Sequence, residues 1–212
     1  MSTEKITTAF YQIAEDFSPF NLNITTDSTA YFAAPINKRQ RIIITAYSSW
    51  YGSAGGVAYL NCFTWGLEIP GFVFANLLGY NEKNIGEASS HETGHTLGLN
   101  HNMKASQMLS PAEVHNTAIT QKLGLQGSVM DYPSINISSD RSKQGDYYTM
   151  KPGPYDLWAI EFGYREFPAG QEQAELNKIL RRSHEPHLTF GNDADDMRSP
   201  GGGIDPRVMV ND

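Results

Sequence analysis

His91-Glu92-Thr93-Gly94-His95-Thr96-Leu97-Gly98-Leu99-Asn100-His101 is the stretch on which the reading of this chain turns. Residues four apart share a helical face, so His91 and His95 present two imidazoles together. Glu92 stands one residue on, where it can take a proton from a metal-bound water without ligating the metal itself. Gly98 lets the helix end in a left-handed turn that a residue with a Cβ would resist. The chain then reverses, and His101 returns as a third nitrogen ligand. Three imidazoles plus one water make a zinc site with an open position. Two histidines flanking a glutamate also read as surface histidines on an ordinary helix. The extension through Gly98 to His101 gathers three of the chain's six histidines and decides for zinc.

The rest of the composition narrows what such a site can serve. The chain has 212 residues, 40% hydrophobic and 18% charged, which suits one globular domain, or one domain of two lobes divided near His101. A net charge of -7 argues against nucleic acid as a partner, because phosphate binding wants a basic surface. Cys62 is the only cysteine, so there is no internal disulfide, and it reads as a small buried or half-buried apolar residue. No run of apolar residues is long enough to span a bilayer. Met1 to Lys5 carries no apolar export signal, so either the protein is cytoplasmic or the sequence is a portion of a longer one, and the abrupt opening into a helix favours the second.

Outward from the motif, the zinc helix is expected from about Asn84 to Leu97, capped by Asn81 or Asn84. Upstream, residues 4 to 17 read as an amphipathic helix with Ile6, Phe10, Ile13, Ala14 and Phe17 on one stripe, capped by Ser2 or Thr3. Asn21 to Thr26 alternates weakly and suggests a short strand, with a turn at Thr26-Asp27-Ser28. Arg41 to Tyr47 is the strongest strand signal, and its continuous apolar run suits burial on both faces. Trp50 to Gly56 reads as a loop, Val57 to Phe63 as another strand at an edge, and Phe72 to Ala75 as a shorter one. Together these make a mixed α/β lobe. Downstream, Ala112 to Leu123 is expected as a helix opened by Ser110-Pro111 and closed by Gly124. His115 within it is a surface histidine or a fourth metal ligand. Ile135 to Lys151 is a polar loop, and Pro154 to Tyr164 and Gly170 to Arg182 are helices. Asn192-Asp193-Ala194-Asp195-Asp196 reads as a solvated acidic loop, or alternatively as a calcium site.

The zinc motif, followed by Ser128-Val129-Met130-Asp131-Tyr132, resembles a metzincin metallopeptidase, and more narrowly the catalytic domain of bacterial Met-zincin-type zinc-dependent metalloproteinases. Family-like stretches also include Trp50 to Gly52, Gly55 to Tyr59, Gly127 to Pro133, Gly153 to Ile160 and Gly203 to Arg207. The resemblance implies an α/β (α+β) zincin fold. That fold has a twisted mixed sheet with an antiparallel edge strand and an active-site helix, then a mainly helical or irregular lobe. On that likeness residues 1–212 form a single catalytic domain with lobes 1–101 and 102–212. Met130 would floor the imidazole cluster, with Gly98 as structural support. Tyr132, two residues on, would place a phenol near zinc to stabilise an oxyanion, or else is a structural tyrosine beside Pro133. Gly56, Val57, Ala58 and Tyr59 would offer main-chain contacts to an extended peptide, or else form a plain sheet strand. Such proteins are exported, so a periplasmic, cell-surface or secreted location is implied.

The expected activity is a zinc-dependent endopeptidase. His91, His95 and His101 hold one ion, and Glu92 moves the proton from water to the leaving amine. Substrates are peptides or proteins, with no nucleic acid partner, and the chain is taken as a monomer. Two rivals stand beside it: an inactive zinc-binding structural or adhesion module, and a non-peptide zinc hydrolase. An intact Glu92 argues against the first. The helix-borne ligand pair with the Met130 segment argues against the second.

Overall fold

The computed structural model describes residues 1–149 and 151–195. The readings of Asp196 and of the stretch Gly203 to Arg207 lie outside those residues. The chain divides into two units, Met1–Asn100 and His101–Asp212.

The first unit opens on helix α1 (Thr3–Asp16), whose cap Ser2 accepts a hydrogen bond from the Lys5 amide. The helix lies as the sequence suggests. Of the expected stripe Phe17 is buried and Phe10, Ile13 and Ala14 are half-buried, but Ile6 is 51% exposed, and Ala9, Gln12 and Asp16 are buried as well. The cause is the partner surface. The helix that carries His91 and His95 offers Gly86 and Ser90 here, small residues that admit Gln12 and Asp16. A Cβ on Gly86 would stand 2.6 Å from the Gln12 amide carbon, and Ser90 Oγ donates to Asp16 at 2.5 Å.

Asn21 to Thr26 forms no strand, correcting that expectation. Asp27 instead caps a short helix, α2 (Ser28–Ala33), by accepting from the Thr29 amide. Three strands follow: β1 (Ile42–Thr45), β2 (Gly56–Val57) and β3 (Gly71–Phe74). The sheet order is β1-β3-β2. β1 is parallel to β3 with Ile42 opposite Gly71, and β2 is antiparallel with Gly56 opposite Val73. β1 is therefore an edge, not a strand buried on both faces, and Ile44 is 43% exposed. β2 is far shorter than the expected 57–63. Asn61 turns into the left-handed region at φ 60°, and Cys62–Trp65 winds into a 3-10 turn. Val73 and Ala75 of the β3 region pack with Ala9 and Ile85 as the core beneath the sheet. Cys62 is buried, and burial pushes its thiol pKa up.

Helix α3 (Glu82–Thr96) carries the motif, and Asn81 caps it by accepting from the amides of Lys83 and Asn84. The second unit holds α4 (Thr117–Leu123), α5 (Pro154–Tyr164) and α6 (Glu172–Leu180), joined by turns, with no strand among its described residues. α4 starts later than the expected 112. Ser110 and Pro111 lead into turns, with the Ser110 amide donating to Glu113, and Asn116 is the cap. α6 gives way at Arg181 to a 3-10 turn. No helix among the described residues is long and apolar enough to cross a membrane.

Candidate metal centre

α3 sets the first two histidines on one face, with ring centroids 4.8 Å apart and planes at 84°. Helix length is fixed at its end by Gly98, which adopts φ +97° and returns its amide to the His95 carbonyl. A Cβ there would be strained by the backbone conformation alone. Leu99 then reaches back, and its carbonyl lies 2.9 Å from His95 Nδ1. A carbonyl can only accept, so Nδ1 carries the proton and Nε2 offers its lone pair. The Asn61 amide donates to the His95 backbone carbonyl at 2.8 Å, tying the segment after β2 to the same turn.

The division between units falls between Asn100 and His101, so the third histidine is the next residue along. Ligand atoms of His91, His95 and His101 all lie within 4.8 Å of one another. His101 Nδ1 stands 2.8 and 3.0 Å from the two carboxylate oxygens of Asp193, which accept its proton. Its Nε2 accepts from the Tyr132 hydroxyl at 2.7 Å. The donor set fits zinc. Three imidazoles converge, and on two of them the Nδ1 proton is occupied elsewhere so that Nε2 is presented. His115 sits in the turn before α4 and is not part of this group.

Glu92 is buried, and burial pushes its pKa up to about 8. Its carboxylate lies against Gly56 of β2. A Cβ at Gly56 would come within 2.5 Å of Glu92 Oε1 and 2.8 Å of its Cγ. Of the four proposed peptide contacts, Gly56 and Val57 lie in β2, paired on one side only among the described residues. Ala58 and Tyr59 follow the strand, and Tyr59 is 62% exposed beside Trp65.

In the second unit Met130 is fully buried. Its amide donates to Ser128 Oγ, and its carbonyl accepts from the Asn102 amide at 3.0 Å. Asp156, in the first turn of α5, grips the same segment. It accepts from Ser128 Oγ at 2.5 Å, from the Val129 amide at 2.9 Å and from the Gly153 amide at 3.0 Å. Gly153 packs on the backbone of Gly127 too closely for any Cβ, and Asp131 accepts from the Ser106 and Tyr132 amides.

Three residues here escape a reading of the sequence. Asp156 lies in a stretch quoted for its family likeness, without a role. Its only local signal is a carboxylate three residues after Gly153, where a helix start welcomes one. Asp193 reads as part of an acidic loop, and Asn102 as the start of a polar one. The described acids of that loop are engaged, Asp193 with His101 and Asp195 with the Asn192 amide.

A model of the Met-zincin family matches residues 79–212. The chain belongs to the Met-zincin family. No curated protein and no solved structure matched it. With helices around a small mixed sheet, this Met-zincin has an α/β metzincin-like fold, and its three histidines are a group able to hold a metal ion.

Proposed function

We propose that this Met-zincin is a zinc-dependent endopeptidase working on extended peptide segments. The observation that carries the reading is the position of Glu92: next in sequence to His91, buried, and pressed against the glycine of the edge strand. Zinc, when bound by His91, His95 and His101, supplies Lewis acidity and acidifies a water. Glu92 accepts the proton of the attacking water on its carboxylate and returns it to the departing amine, so no covalent enzyme intermediate is needed. Tyr132, whose hydroxyl sits at His101 Nε2, donates to the oxygen that gains negative charge as the peptide carbonyl is attacked. β2 offers its outer edge to substrate main chain, and Gly56 keeps that edge level with the Glu92 carboxylate. As part of the same proposal, the protein acts outside the cytoplasm.

Glu92→Gln removes the base but preserves shape. On an unfolded substrate such as casein, the zinc-loaded variant should cut roughly 100- to 10,000-fold more slowly than wild type, the range general acid–base catalysis supplies. Its zinc content should match. Equal rates would overturn the role of Glu92. Wild type that holds zinc and cuts no peptide would overturn the peptidase reading.

A further inference from the structure

Asp193 lies 92 residues beyond His101 in sequence, yet both of its carboxylate oxygens reach that histidine's Nδ1. Chance apposition of an exposed loop would leave this contact unsupported, but the backbone around it is laced down. Asn102, fully buried, donates from Nδ2 to the Thr189 carbonyl at 3.0 Å and accepts the Gly191 amide at 3.2 Å on Oδ1. The Met103 amide donates to the Gly191 carbonyl at 2.7 Å. Beginning at the next residue, the Asn192 side chain and Asp195 close a turn around Asp193, accepting from the Ala194 and Asn192 amides. Residues 189–195 thus hold one carboxylate on one imidazole nitrogen.

We infer that Asp193 is a positioning residue for the metal centre. It holds His101 in the Nδ1–H tautomer, with Nε2 aimed as a ligand. The contrast with His95 gives the inference its content. His95 is oriented by a neutral carbonyl from its own turn, whereas His101 draws on a charged group from the far end of the described chain. A charged acceptor binds the Nδ1 proton more strongly and compensates the charge of a bound cation better than a carbonyl does. The segment carrying Asp193 therefore belongs to the metal site although it holds no ligand. This rests on reading His101 as a zinc ligand.

The test compares wild type with Asp193→Ala, Asp193→Asn and, as a control for lost charge, the exposed Glu166→Gln. Zinc affinity is measured by chelator competition at one fixed pH. Imidazole nitrogen shifts of the metal-free proteins report the His101 tautomer, and thermal unfolding checks that each variant folds. Asp193→Ala should bind zinc roughly 10- to 100-fold more weakly and lose the fixed Nδ1–H tautomer. Asp193→Asn retains an accepting oxygen, so it should keep the tautomer and recover part of the affinity. Glu166→Gln should match wild type. Wild-type affinity and tautomer in folded Asp193→Ala would overturn the inference, as would an equal loss in Glu166→Gln. Failure of wild type itself to bind zinc would instead sink the reading of the histidine triad. The tautomer of the metal-free protein would still judge Asp193.

Discussion

Gly56 has a hydrogen where any other residue would have a carbon, and Glu92 fills the space that this leaves. The contact explains why a glycine should stand in an edge strand, where it otherwise weakens pairing. Gly56→Ala would push on Glu92 near the root of its side chain, at Cγ, as well as at the carboxylate. The histidines are untouched by that push. The expected result is a fall in kcat of roughly 100-fold, the cost of misplacing a catalytic group by about 1 Å, with zinc affinity unchanged. Steady-state kinetics beside a zinc titration check it, and an unaltered kcat would show that Glu92 needs no such seat. At this scale the grouping of the histidines was legible, because His91 and His95 share a face by helix period and Gly98 makes the one tight turn that returns the chain to His101. Gly56 under Glu92 and Asp193 on His101 were not legible. Each is a meeting of residues far apart in the chain, and no local spacing encodes it.

Helix starts were partly legible from caps and prolines, although Ser110-Pro111 opens turns and not the helix expected there. Ser2, Asn81 and Pro154 each mark the beginning of an observed helix. Strand lengths were not, because apolar runs continue past the residues that pair. Arg41 to Tyr47 reads as seven residues of strand, yet only Ile42–Thr45 meets β3. The stripe on α1 missed Ala9, Gln12 and Asp16 for a related reason. Which face is buried depends on the small residues Gly86 and Ser90 of another helix. α5 carries its own consequence. Burial outweighs three hydrogen bonds and raises the Asp156 pKa to about 6, above its ordinary 3.8. The folded state thus binds this proton more tightly than the unfolded state. The resulting stabilisation is complete below about pH 4 and is lost as pH rises through about 6. In metal-free protein, the unfolding free energy of wild type relative to Asp156→Asn should fall by up to about 3 kcal/mol from pH 4 to pH 7. Urea titrations at the two pH values measure it. A difference that stays flat or rises would show that Asp156 is ionised throughout, held by Ser128, Val129 and Gly153.

Across the whole chain, eleven consecutive residues carry His91, Glu92, His95 and His101, and the contacts around them come from distant stretches of sequence. The first unit supplies the Asn61 contact to the His95 carbonyl and the glycine edge against Glu92. The second supplies Asp193 and Tyr132 on the two nitrogens of His101. The family likeness in the sequence reached the overall class, an α/β chain built around a zinc helix, because the motif and the Met130 segment are both short and local. It did not reach the supports, which depend on tertiary approach. The proposed function stands on three imidazoles gathered at one zinc ion. X-ray absorption at the zinc edge, on protein loaded with one equivalent, reads that shell. Three imidazole nitrogens at about 2.0–2.1 Å are expected, with oxygen completing the shell. A shell with only two imidazoles, or with sulfur from Cys62, would contradict it.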